Sequence, residues 1–133
     1  MPNLTITGRL ASGLGEGAAF TGLPWARAQF VARLGIDPFP GTVNLVVDDP
    51  AERAKWALLR ATPGIVIVPP DPKWCNARLW KVTIGGRIPG AVVLPEIAAY
   101  PLDKIEAIAA VAVRASLGLA DGDAVTLEFG DAA

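Results

Sequence analysis

"LTITGRLASGLGEGAAFTGLP", residues 4–24, joins two kinds of chain in one stretch. Residues 4–11 alternate apolar and polar side chains with a period of two, the pattern of a strand with one buried face. Residues 12–24 then place three glycines within five positions, one carboxylate between the last two, and no lysine. A glycine loop of this density is either a tight connection whose glycines permit positive φ, or a place where backbone N–H groups approach an anion. The P-loop pattern is excluded, because it requires a lysine and a hydroxyl after its last glycine.

Short segments follow the loop. After Pro24, "WARAQFVARLG" carries apolar side chains at Trp25, Phe30, Val31 and Leu34 and ends on Gly35, which predicts a short amphipathic helix. "TVNLVV" (42–47) is β-branched and strand-like, and "PAERAKWALLRA" (50–61) opens with proline and acidic residues as a helix does. "GIVIV" (64–68), "ARLWKVTI" (77–84), "GAVVLP" (90–95) and "AVTLEF" (124–129) are short strands bounded by Pro, Gly or Asp. "KIEAIAAVAVRASLG" (104–118) fits a strand running into a helical turn, or one helix. About six strands and two or three short helices, without βαβ alternation or internal repeat, predict a mostly β fold, a small antiparallel barrel with helical insertions.

Composition narrows the function. The 133 residues suffice for one domain, 1–133, able to bury roughly two-thirds of its unfolded surface. A net charge of −1 and no basic stripe argue against nucleic acid and for a small partner. "MPNLTITG" lacks a basic stretch followed by an apolar one, and no apolar run approaches the ~18 residues of a membrane span, so the expected location is cytoplasmic with no membrane partner. The lone Cys75 excludes an internal disulfide and a multi-cysteine zinc site. There is no histidine, so serine and cysteine triads are out. Acid–base work falls to Asp, Glu, Tyr or Lys, and any metal is a hard cation on oxygen ligands. The oligomeric state is left open.

Thr42 and Asn44 stand two apart at a strand entrance, so both side chains share one face. A hydroxyl and an amide oxygen there suit Mg²⁺ when a polyphosphate supplies negative charge, although such residues are as readily turn or edge positions. Trp56, Trp74 and Trp80 are expected to be packing residues, because no basic stripe accompanies them as in a stacking platform. "DGD" (121–123) is expected to be a turn.

Taken together, "SGLGEG", "GLP", "LG-x-x-P-x-PGT-x-N", "PE…YP-x-D-x-IE-x-IA" and "R-x-x-LGL-x-DGD", in this order, resemble the archaeal CTP-dependent riboflavin kinase family from about residue 6 to 129. The resemblance implies a six-stranded cradle-loop barrel that transfers the γ-phosphate of CTP to riboflavin, giving FMN and CDP. It assigns Gly13, Leu14, Gly15, Glu16, Gly17 and Ala18 to the nucleotide loop and Val111, Ala112, Val113 and Arg114 to a second nucleotide segment. Thr42 and Asn44 match the Mg²⁺ ligands. Glu106 matches a carboxylate at the flavin side, placed to orient or deprotonate the attacking hydroxyl, and Ala98 and Tyr100 fall with it on the acceptor side. Backbone amides and the metal would then share the phosphate charge that a lysine holds in a P-loop.

The chain also departs from the family. Ile97, Ala98 and Ala99 stand where members typically read Arg-Thr-His, Ala19 and Ala26 where tyrosines are common, and Ala110 where a proline is usual. Three readings follow: a riboflavin kinase with a remodelled acceptor pocket, a kinase of another, less polar small alcohol on the same fold, and a non-catalytic nucleotide- or flavin-binding module.

Overall fold

The computed structural model describes residues 4–11, 23–39, 42–70, 76–96 and 100–130. The strands are β1 (Leu4–Ala11), β2 (Val43–Val46), β3 (Ile65–Ile67), β4 (Ala77–Ile84), β5 (Ile88–Pro95), β6 (Lys104–Ala109) and β7 (Ala124–Phe129). The helices are α1 (Pro24–Leu34), α2 (Pro50–Arg60) and α3 (Val113–Leu117). The alternating stretch 4–11 is β1 to the residue, and the ambiguous stretch 104–118 is strand β6 followed by helix α3.

Six strands close on themselves in the order β4-β5-β6-β2-β1-β7, with β7 returning to β4, and every pairing is antiparallel. Closure works because β4 divides one edge between two neighbours. Its first residues, Ala77–Leu79, pair with β3, which lies outside the barrel, and Thr83–Ile84 pair with Leu127–Glu128 of β7. A closed barrel leaves no long sheet edge to aggregate.

Alternation sorts the side chains into two apolar layers. Ile6, Leu10, Leu45, Val82, Ile84, Val92, Ile105, Ala107 and Leu127 fill the interior, with Trp56 and Leu59 of α2 packed against them. The opposite face of β4, β5 and β6 presents Leu79, Ala91, Val93 and Ile108, which are covered by Ala26 and Phe30 of α1 and by Ile36. Gly35 ends α1 at φ 69, donating to the carbonyl of Val31, as the sequence predicts for a left-handed C-terminal stop. Gly90 is required for a different reason. A Cβ there would lie 2.4 Å from the carbonyl oxygen of Ile108 and 2.8 Å from Ile84 Cδ1, so only glycine lets β5 and β6 approach at this point.

Helix α2 seals a gap in the barrel wall. β2 reaches only Arg9–Ala11 of β1, which leaves the polar backbone of Thr5 and Thr7 without a strand on that side. Glu52 Oε1 accepts from Thr7 N–H at 2.7 Å, and Lys55 Nζ donates to the Thr5 carbonyl at 3.0 Å. Two side chains of one helix thus take the place of strand hydrogen bonds.

Trp56 and Trp80 are packing residues, as expected: they are buried and meet edge to face with ring centroids 5.9 Å apart. Trp80 Nε1 donates to Thr62 Oγ1 at 2.9 Å. Trp74 lies outside the described residues. Among the described residues no helix is long and apolar enough to cross a membrane.

Candidate active site

The site grows from the register of β2 and β6. Asn44 stands opposite Glu106, and Leu45 opposite Ile105. Since Leu45 and Ile105 point into the barrel, alternation turns Asn44 and Glu106 to its outer surface, together with Lys104 and Ile108. Ile108 is covered by α1, so the carboxylate of Glu106 borders the apolar patch under that helix.

Three side chains converge on this carboxylate, and a fourth stands beside it. Tyr100 donates its phenol hydrogen to Glu106 Oε2 at 2.6 Å. Thr42 Oγ1 donates to Oε1 at 3.3 Å, and Lys104 Nζ lies 3.8 Å from the same oxygen. Asn44 completes the group at 8% exposure, its Nδ2 reaching the Thr42 carbonyl at 3.4 Å. The Glu106 side chain is 15% exposed and Lys104 39%, so the carboxylate is recessed behind a more open cation.

Tyr100 is held as a neutral donor. Its ring is buried, and burial together with the Glu106 carboxylate raises its pKa above the ordinary phenol value. Lys104 Nζ sits 5.7 Å from the centre of that ring, a cation–π distance. The hydrogen bond from Tyr100 to Glu106 was not readable in the sequence. Six residues separate the pair, a spacing that neither helix nor strand brings together. The turn at 102–103, just after Pro101, brings Tyr100 back to Lys104 and Glu106 of β6.

Residues 111–114, which the resemblance assigns to a second nucleotide segment, lie at the end of the barrel where β1 and β6 finish and β2 and β7 begin. Val113 is buried in the core, and Arg114 is engaged with Asp121 at 2.7 Å on the surface. Asp121 introduces the expected "DGD" turn, in which Gly122 takes φ 89. That turn is bound to β1 by Leu10 N–H to the Asp123 carbonyl at 2.8 Å and by Gly122 N–H to the Leu10 carbonyl at 2.7 Å. Phe39 N–H reaches the Ala109 carbonyl at 2.7 Å, tying the chain that enters β2 to the end of β6. The fold therefore brings Thr42, Asn44, Val111–Arg114 and the last residue of β1 to one end of the barrel. Ala11, from which the glycine loop departs, is the register partner of Asn44. Gly13, Leu14, Gly15, Glu16, Gly17, Ala18 and Ala98 lie outside the described residues.

Among the described residues no group of three or more His, Cys, Asp or Glu is placed to hold a metal. The donors at hand are instead Thr42 and Asn44, a neutral hydroxyl and a neutral amide oxygen beside one carboxylate. One departure from the family also finds a place. Ala26 is fully buried in the patch under α1, and the partly buried Trp25 packs at its margin.

The sequence is similar to those of known proteins. Residues 10–129 match the family model named for CTP-dependent riboflavin kinases and described as "Domain of unknown function DUF120". The riboflavin kinase of Pyrobaculum arsenaticum is 38% identical over 133 residues, which cover 95% of this chain and 60% of that protein. The riboflavin kinase of Saccharolobus solfataricus is 35% identical, with 95% of this chain and 74% of its own length covered. For that of Sulfurisphaera tokodaii the identity is 35%, and 94% of each chain is covered. The chain thus spans about three-fifths of the Pyrobaculum protein and nearly all of the Sulfurisphaera one. With a closed six-stranded barrel, and with the family model covering it almost from end to end, the chain belongs to the CTP-dependent riboflavin kinase family.

Proposed function

We propose that the protein is a riboflavin kinase that uses CTP with Mg²⁺, transferring the γ-phosphate to the ribityl hydroxyl to give FMN and CDP. The observation that supports it is the pairing of Asn44 with Glu106, which puts neutral metal-type donors and a recessed carboxylate side by side at the root of the glycine loop. The named relatives are riboflavin kinases, which favours riboflavin as acceptor.

The donor set fits a hard cation. Asn44 is nearly buried, and among the described residues its Oδ1 accepts no hydrogen bond, leaving that oxygen for a ligand. Thr42 and Asn44 would hold Mg²⁺ there. When bound, the ion would neutralise phosphate charge, since two neutral ligands leave its own charge largely unbalanced.

The chain's own residues divide the remaining work. The glycine loop and Val111–Arg114 bind the nucleotide with backbone groups, so no P-loop lysine is needed. Glu106 orients the acceptor hydroxyl and takes its proton, as an O–P bond forms and the bond from phosphorus to the nucleoside diphosphate breaks. Tyr100 borders the acceptor, and Ala98 falls at the position that resemblance assigns to flavin contact. Because Ile97, Ala98 and Ala99 replace Arg-Thr-His, the grip on flavin is less polar than in the family, and riboflavin binds more weakly. Donor choice is tested by supplying CTP, ATP, GTP or UTP with Mg²⁺ and riboflavin and following nucleoside diphosphate release. The expected result is release from CTP well above the others, and equal release from ATP contradicts the assignment.

A further inference from the structure

We infer that Tyr100 is a positioning residue for phosphoryl transfer, holding Glu106 so that Oε1, and not Oε2, meets the acceptor hydroxyl. This rests on the kinase reading above and adds to it which oxygen reacts and what aims it. The terminal torsion of a glutamate is broad and nearly two-fold, so an unrestrained carboxylate presents either oxygen over a wide arc. A hydroxyl donating to a carboxylate at 2.6 Å is a short, charge-assisted bond, and it fixes that torsion.

The two oxygens then differ in what remains open to them. Oε2 is occupied by Tyr100, whose ring is buried in the core and whose chain continues into Pro101 and β6. Among the described residues, Oε1 has only a long contact to Thr42 Oγ1 at 3.3 Å and the Lys104 ammonium at 3.8 Å. A new donor displaces the Thr42 contact easily, whereas reaching Oε2 requires breaking the stronger bond. In the transfer step the acceptor oxygen bonds to phosphorus, the nucleoside diphosphate leaves with the electron pair of the broken P–O bond, and the hydroxyl proton passes to Oε1. Tyr100 stays protonated throughout and exchanges nothing.

Tyr100 is the only tyrosine in the chain, which gives the test a clean probe. Steady-state kinetics with riboflavin would compare wild type, Tyr100→Phe, Glu106→Gln and the double variant, alongside the ¹³Cζ signal of labelled tyrosine in wild type and Glu106→Gln. Loss of aim predicts that Tyr100→Phe lowers kcat by about 10²-fold, with acceptor KM within about threefold of wild type. The double variant should be no slower than Glu106→Gln alone, since the phenol acts only through that carboxylate. The tyrosine signal should shift in Glu106→Gln, a readout that survives even if Tyr100→Phe fails to fold. A rise in KM with kcat preserved would make Tyr100 a direct acceptor contact and overturn the inference. Additive losses in the double variant, or a tyrosine signal indifferent to Glu106→Gln, would overturn it as well. An active wild type with a kinetically silent Tyr100→Phe refutes the positioning role alone, and a wild type without turnover refutes the kinase reading together with it.

Discussion

Asn44 and Glu106 are register partners across β2 and β6, both turned to the outer wall of the barrel. The pairing sets a neutral amide oxygen beside a carboxylate without placing two like charges together. The same register makes Asn44 the neighbour of Ala11, where the chain leaves β1 for the glycine loop.

Removing the amide oxygen should weaken nucleotide binding without disturbing the barrel. Asn44→Ala is expected to lower the affinity for Mg-CTP by about tenfold or more, the worth of one well-placed polar ligand near charge. Titration calorimetry reads this directly, with Gly15→Val as a companion change in the loop. Unchanged affinity in both variants would place the nucleotide elsewhere.

Neutralising Glu106 should affect turnover more than binding, because an orienting or proton-accepting carboxylate acts chiefly in the transition state. Glu106→Gln preserves shape and is expected to reduce kcat by about 10²–10⁴-fold with little change in KM. A variant as fast as wild type removes Glu106 from the mechanism.

Tyr100 should make stability fall in alkali. In the folded protein, burial and then the Glu106 hydrogen bond raise its pKa, whereas in the unfolded chain the phenol ionises near its ordinary value of about 10. The contribution is complete below that value and is lost as pH rises above it, because only the unfolded state releases the proton. Urea melts at pH 9 and pH 11 check this, and Tyr100→Phe should lessen the decline. Phenolate absorbance that develops with a midpoint near 10 while the protein stays folded would contradict the burial.

Glu52 gives the acid counterpart. The Lys55 ammonium and then the Thr7 N–H hold its carboxyl below the usual carboxylate range, so its stabilisation is present above the ordinary value and is lost as pH falls through the lower, folded one. Glu52→Ala should cost about 1 kcal/mol at neutral pH. It should also speed hydrogen exchange at the Thr7 amide, and an amide as protected as in wild type would show that the helix does not seal the wall there.

Much of this was legible in the sequence. The alternation of 4–11, the glycine after Leu34 and the proline-led 50–60 are local signals, and the elements they announce form as expected. Thr42 and Asn44 were readable as a same-face pair because strand periodicity is local. The stretch 104–118 could not be resolved by periodicity, since "IAAVAV" suits a buried strand or a buried helix equally. Pairing with β2 and β5 decides it as strand up to Ala109. Nor could sequence reveal that Arg114 is engaged by Asp121, or that Glu52 and Lys55 stand in for a missing stretch of β2, because each depends on how distant segments meet.

The account is tested most directly by incubating the protein with riboflavin and Mg-CTP and separating the products by chromatography. It predicts FMN and CDP in equal amounts, formed slowly by wild type and faster after Ile97→Arg, Ala98→Thr and Ala99→His together restore polar groups whose bonds are worth roughly 0.5–3 kcal/mol each. No FMN from either protein, under conditions where both remain folded, would contradict it.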